Sequence, residues 1–164
     1  MSAPPRRSAL FSAAGALMSK PAMRPLTRTL SDLHARLYRL TGGRAQHSKY
    51  PTMLLTVTGR RTGRPQTVPL IYITDGKRLV IAAAYAGADT DPAWWHNLQA
   101  HPRAVAQVRG ETLTVTAQLA RADRREELWR RLVAMYPYFT EYQQRTRRQI
   151  PVVIHTPTGA ALPS

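Results

Sequence analysis

The segment from Leu54 to Pro69, LLTVTGRRTGRPQTVP, commits this chain to a β hairpin more firmly than any other stretch. An apolar, β-branched run breaks abruptly into a turn carrying three arginines and two glycines, and a second strand-like run follows. Gly59 and Gly63 supply the backbone freedom that a tight turn and a close ligand approach require. Arg60, Arg61 and Arg64 crowd donors suited to a phosphate or carboxylate onto the same bend. A solvated basic turn and an anion cradle both fit the segment taken alone.

Strand periodicity continues from there. Met53 to Thr58, Gln66 to Thr74 and Arg78 to Ala84 are separated by the basic turn and by Asp75-Gly76, which predicts two hairpins in succession. The third run is apolar on both faces and then small, so it is expected to be central and to let a flat ligand approach. Arg103 to Val108 and Thr112 to Leu119, joined at Gly110, form a further pair, and Ile150 to His155 reads as the last strand.

Helices fall between these runs. Asp91-Pro92 reads as a helix start, with aspartate capping and proline in the first helical position, leading into Ala93 to Ala100. Asp123 with Glu126 predicts a capping box before a helix bearing Leu128, Trp129, Leu132, Val133 and Met135. Pro137 interrupts it, and an aromatic segment with Tyr138, Phe139 and Tyr142 follows. Upstream, Leu30, Leu33, Leu37 and Leu40 share one helical face that Gly42 and Gly43 terminate. Those leucines either close over the core, or the basic helix rests on an acidic membrane or covers a ligand.

With 164 residues one ordinary domain is expected. It is placed at 26–156, including the N-terminal amphipathic helix, after a flexible basic segment at 1–25 and before a loose tail at 157–164. Arg6 and Arg7 ahead of a weak apolar run suit a basic tail better than an export signal. No run approaches the roughly 20 apolar residues that cross a bilayer. The expected location is the cytoplasm, with peripheral contact to the inner face of the plasma membrane through the basic helix as an option.

A net charge of +15 would attract nucleic acid, acidic headgroups or a polyanionic small ligand. The absence of cysteine excludes disulfides, thiolate metal sites and cysteine nucleophiles, so redox chemistry must come from a cofactor. No histidine is spaced to recruit a nucleophile or build a metal site, and no GxxxxGKS or GxGxxG loop is present.

Two aromatic motifs stand out. In PAWWHN, Ala93, Trp94, Trp95, His96 and Asn97 combine a helix N-terminus, two indoles and an amide. Adjacent tryptophans point to different helix faces, so one is expected in the core and the other at a pocket. In YPYFTEYQQRT, Tyr136, Phe139 and Tyr142 share one helical face if the helix passes Pro137, forming either a packed interior or an aromatic wall whose phenols orient a substrate carbonyl or deliver a proton.

Three segments, LLTVTGRRTGRPQTVPL, VIAAAYAGADTDPAWWHNLQAHP and MYPYFTEYQQRTRRQIPVVI, resemble in order and spacing the deazaflavin-dependent nitroreductase and F420H2-dependent quinone reductase family, over roughly Leu54 to Ile154. The resemblance implies an α+β, mainly β fold: a split β-barrel of the flavin-reductase or pyridoxamine-oxidase type with flanking helices. It implies an oxidoreductase that passes a hydride from reduced coenzyme F420, an 8-hydroxy-5-deazaflavin, to an electron-poor quinone, enone or nitroaromatic. Carried over by residue, Arg60, Arg61 and Thr62 meet the anionic tail and phosphate, and Gln66, Thr67, Val68, Pro69, Leu70 and Ile71 run beneath the ring. Ala82, Ala83, Ala84 and Tyr85 line the deazaflavin. Ala93, Trp94, Trp95, His96 and Asn97 close the phosphate side, and Phe139 completes the cofactor set. Tyr136 and Tyr142 are the candidates for substrate orientation or proton donation. No metal ligand is implied, and a homodimer fits the family.

The chain also departs from the pattern. Where relatives active on nitroimidazoles often carry serine and lysine, this sequence has Ala84 and Tyr85, and where they carry tyrosine it has Phe139. Fewer polar groups then hold a nitro or carbonyl oxygen. Two rival readings remain at this point: the same barrel holding flavin mononucleotide or haem, and a basic nucleic-acid-binding module, for which no reading signature is visible.

Overall fold

The computed structural model describes residues 49–159. The basic segment at 1–25, the leucine-faced helix, and the end of the tail from 160 lie outside the described residues.

Strand β1 (Thr52–Thr58) and strand β2 (Pro65–Ile71) form the expected first hairpin, in register from Thr52 opposite Ile71 to Thr58 opposite Pro65. The second run is not one strand but two. At Tyr72 the ladder breaks: the ring is buried, the Tyr72 N–H donates to the Pro51 carbonyl at 3.1 Å, and β3 (Ile73–Asp75) starts in a new direction. β3 pairs with β4 (Arg78–Ala82) as the second hairpin.

Among the described residues seven antiparallel strands make one sheet, completed by β5 (Arg103–Val108), β6 (Glu111–Leu119) and β7 (Val152–Pro157) in the order β2-β1-β5-β6-β7-β4-β3. β2 and β3 are its two edges, yet a single residue joins them. The sheet must therefore curl until its edges approach, which is the split barrel. Pro65 and Pro69 are tolerated in β2 because it is an edge strand.

β4 runs between β3 and β7, and its alternation is apolar on both faces, as a central strand requires. Leu79, Ile81 and Ala83 enter the barrel core with Met53, Leu55, Val57, Trp94, Trp95 and Leu98. Val80, Ala82 and Ala84 meet a second core beneath the helices, with Leu128, Leu132, Phe139, Ile150 and Ile154.

Among the described residues three α-helices flank the sheet: α1 (Ala93–Ala100), α2 (Ala122–Met135) and α3 (Tyr138–Gln144). Both expected side-chain caps are absent. Pro92, with extended backbone, is the N-cap of α1, while the Asp91 carboxylate turns away to Arg148 at 2.7 Å. In α2 the cap position belongs to Arg121, so Asp123 falls inside the first turn, where it favours the helix dipole but caps no amide. α2 is moored instead by Arg124 and Arg131, which converge on Asp75 at the end of β3, and Arg131 also donates to the Thr74 carbonyl at 2.6 Å. The Arg124 hydrogen bond leads the effects that hold the Asp75 carboxyl below its ordinary range. Among the described residues no helix is long and apolar enough to cross a membrane.

Candidate active site

The basic turn is closed by its own backbone. Gly59 N–H donates to Arg64 O and Gly63 N–H to Gly59 O, each at 2.8 Å. A Cβ at residue 59 would stand 2.9 Å from Thr62 Oγ1 and 3.1 Å from Arg64 O, so glycine is needed there for close approach. Thr62 Oγ1 is itself engaged inside the turn, accepting from Arg64 N–H at 3.3 Å.

Asn97 ties this turn to α1. Its Oδ1 accepts from the Arg60 backbone N–H and from Arg60 Nη1, both at 3.1 Å, while its Nδ2 donates to Gln66 Oε1 at 3.0 Å. Only 2% of Asn97 is exposed, and its buried amide makes three hydrogen bonds at once. Arg60 is thereby held at a fixed place beside the exposed Arg61 and Arg64. The basic bend and the tryptophan helix thus meet through Asn97.

The two tryptophans differ from expectation. Both Trp94 and Trp95 are buried in the barrel core, with ring centroids 6.4 Å apart in an edge-on arrangement. Residues about 100° apart on a helix both fall within the wide apolar arc that a short helix buries against a curled sheet, so neither ring is left for a pocket. Ala93 is exposed and His96 half-buried, so these two stand on the accessible side of α1.

Ala82, Ala83 and Ala84 are also buried, their methyl groups divided between the two cores. What this strand can offer a ligand is backbone. In β2, Val68 and Leu70 pack against the barrel core, and Thr67 Oγ1 meets Thr56 Oγ1 at 2.8 Å. Pro69 and Ile71 are half-buried on the opposite face.

After Ala84 the backbone turns left-handed through three successive residues, with φ of 47° at Tyr85, 52° at Ala86 and 79° at Gly87. Gly87 N–H donates to Ala84 O at 2.9 Å and Ala88 N–H to Tyr85 O at 3.0 Å. At Gly87 the backbone presses on α3, where an added Cβ would lie 2.6 Å from Tyr142 O.

Arg148, which the sequence did not single out, holds this bend from beneath. Its Nε donates to Ala88 O at 2.8 Å, Nη1 to Asp91 at 2.7 Å, and Nη2 to Ala83 O at 3.2 Å and Ala84 O at 2.9 Å. No local pattern marks an arginine whose partners lie about 60 residues away; only the folded topology brings them together.

The aromatic wall forms although α2 stops at Met135. Tyr136 sits at the joint between α2 and α3, with ring centroids 4.8 Å from Tyr50, 5.0 Å from Phe139 and 5.1 Å from Tyr138. The Tyr136 and Tyr142 hydroxyls are 3.3 Å apart. Burial first, and then that hydroxyl, push the Tyr136 phenol above its ordinary range, so it stays protonated and acts as a hydrogen-bonding group rather than a phenolate. Phe139 is buried against Trp129 and forms the floor of this cluster.

The site therefore has two groups: the Arg60, Gln66 and Asn97 clasp, and the Tyr136, Tyr142 and Phe139 wall. The Ala83 to Asp91 segment runs from the wall, where Gly87 meets Tyr142, to α1, which carries Asn97. Such an arrangement can fix an anion at one end and an aromatic acceptor at the other. Among the described residues no three His, Cys, Asp or Glu side chains gather as metal ligands.

The family model for F420H(2)-dependent quinone reductase matches residues 8–157. An F420H(2)-dependent quinone reductase of Mycobacterium tuberculosis is 36% identical over 133 residues, covering 77% of this chain and 89% of its own. Among solved structures, an F420-H2 dependent reductase superposes with a TM-score of 0.60 at 33% identity, over 64% of this chain and 93% of its own. A domain-swapped dimer superposes at 0.63 with 29% identity, over 80% of this chain and 98% of its own.

Proposed function

The chain belongs to the F420H(2)-dependent quinone reductase family, and from that membership we propose that it transfers a hydride from reduced coenzyme F420 to a quinone. The flavin mononucleotide, haem and nucleic-acid readings are not favoured by that membership. The observation that carries the proposal within this molecule is the clasp in which buried Asn97 binds Arg60 and Gln66 at once.

The residues present fit an anionic deazaflavin. A turn too tight for a Cβ at residue 59 brings Arg60, Arg61 and Arg64 together, as a phosphate or carboxylate tail requires. Bound there, the reduced coenzyme supplies the hydride, which is the difficult part of the chemistry. Arg60, Arg61 and Thr62 hold the tail and phosphate end, with Arg60 kept in place by Asn97. Gln66 to Ile71 and the backbone of Ala82 to Tyr85 flank the ring, Ala93 and His96 border the phosphate side, and Trp94, Trp95 and Phe139 act from the cores behind.

The protonated Tyr136 phenol and Tyr142 orient the acceptor carbonyl by hydrogen bonding, and the aromatic cluster keeps water away from it. With Ala84, Tyr85 and Phe139 in place of polar groups, nitroaromatics are expected to be poorer acceptors than quinones. Self-association into a homodimer belongs to the same reading and is supported by the domain-swapped relative. Contact with a membrane rests on the segment for which the sequence predicts a basic amphipathic helix, outside the described residues; sedimentation of the full chain with anionic vesicles tests it.

The deciding assay is steady-state oxidation of reduced coenzyme F420 with a panel of quinones, enones and nitroaromatics, for the wild type and an Arg60→Ala, Arg61→Ala double variant. The variant should raise KM for the coenzyme far more than it lowers kcat. An unchanged KM would remove the arginine cradle.

A further inference from the structure

Tyr85 and Ala86 are held in left-handed backbone without being glycine, a conformation in which the Cβ crowds the neighbouring carbonyl oxygen. Strain of this kind persists only where the surroundings over-determine the chain, and it concentrates at ligand clamps. Here the restraint is identifiable. Arg148 directs four hydrogen bonds onto the carbonyls of Ala83, Ala84 and Ala88 and the carboxylate of Asp91, which bracket the bend on both sides. Its side chain is 16% exposed, and Arg145 adds a longer contact to Ala86 O at 3.4 Å. From below, the Tyr142 backbone meets Gly87 so closely that no Cβ fits.

We propose that Arg148 is a positioning residue of the reductase: it sets the backbone of Ala83 to Asp91 in the bend that presents the Ala84 to Ala88 backbone to the deazaflavin and delivers α1, with Asn97, to the basic turn. The inference rests on the cofactor reading above. Only a guanidinium meets the geometry, because its planar donors reach both flanks of the bend at once; a lysine ammonium is a single point. The role is indirect, since the acceptors of Arg148 are protein groups.

The test uses Arg148→Lys and Asp91→Asn in the full chain. Hydrogen exchange on the protein without coenzyme should show the Gly87 and Ala88 amides opening at least about tenfold faster in Arg148→Lys, while amides of β1, β5 and β7 keep their protection. Fluorescence titration with coenzyme F420 should show affinity weakened by roughly tenfold, with kcat at saturation changed less than about threefold. Asp91→Asn, which retains the shape of the partner without its charge, should move both readouts in the same direction by less, and it carries the test if Arg148→Lys does not fold. Adding Ala86→Gly to Arg148→Lys should recover part of the affinity, because glycine needs no restraint to stay left-handed.

Unchanged exchange at Gly87 and Ala88, or a loss of protection spread equally over the barrel strands, overturns the proposal. So does unchanged affinity in the variants of a wild type that binds. A wild type that ignores coenzyme F420 sinks the cofactor reading instead, and exchange then still decides whether Arg148 sets the bend.

Discussion

Asn97 shows how much can depend on one amide. Truncating it in Asn97→Ala strips partners from the Arg60 N–H, the Arg60 guanidinium and Gln66 together. The expected cost is about 1–3 kcal/mol of stability, with a raised KM for coenzyme; thermal melting and steady-state kinetics check the two effects. Glycines offer a contrast that tests the backbone argument. Gly63→Ala meets open space at φ +66° and should cost about 1 kcal/mol. Gly87→Ala at φ +79° must also push back the Tyr142 backbone from 2.6 Å, so it should destabilise by clearly more in the same denaturant titration. Asn97 and the arginines were legible in the sequence because motif and helix start stand out locally. Arg148 was not: its significance is a set of carbonyls that only topology collects. The fates of Trp94, Trp95 and Ala82 to Ala84 were hidden for a related reason, since type and spacing do not say which of two cores a side chain enters.

Among the elements, the strands and the helix break at Pro137 were readable from periodicity and breakers, and their ends fall close to the expected ones. The errors share a cause. Tyr72 carries no breaker, yet a barrel must turn its chain from one sheet edge to the other somewhere, and a closure constraint leaves no local mark. Likewise the caps failed because Asp91 found a stronger partner in Arg148 and Asp123 lies one position inside α2 beyond Ala122, whose φ is 48°. The mooring of α2 is open to direct test. Replacing Asp75 in Asp75→Asn leaves Arg78, Arg124 and Arg131 around a neutral group. The pairs are partly solvated, so a loss of about 1 kcal/mol is expected, shrinking as salt is added in a urea titration. A loss independent of salt would point to packing rather than charge.

For the whole molecule, the excess of positive charge and the barrel core act on different observables. Charge acts on the encounter with an anionic coenzyme, so its KM should rise with ionic strength while the acceptor's KM moves little. Core chemistry acts on stability against pH, through His155. This residue is 0% exposed on β7, flanked across the sheet by Leu79 of β4 and Ala117 of β6, and neither ring nitrogen makes a hydrogen bond of good geometry, although the Leu79 and Val153 backbone lies close to the ring. Burial pushes its pKa down to about 4, against which the nearby backbone of Leu79 and Val153 gives weak support to the charged form. The folded protein thus keeps the imidazole neutral while the unfolded chain binds a proton near the ordinary value of 6.5. Stability from this site is complete above that value and drains away as the pH falls toward about 4, amounting to about 3 kcal/mol at most. The lowered Asp75 carboxyl pushes in the same direction, but only below the ordinary carboxylate range, so the two windows separate. In denaturant titrations at pH 7.5, 6, 5 and 4, the wild type should lose stability steadily across the upper window. His155→Leu should flatten that slope and be at least as stable at pH 7.5, since it removes two unsatisfied nitrogens from an apolar core. A wild-type curve already level between pH 6.5 and 4.5 would mean that the imidazole finds a proton partner on folding, and the neutral-core account of β7 would fall.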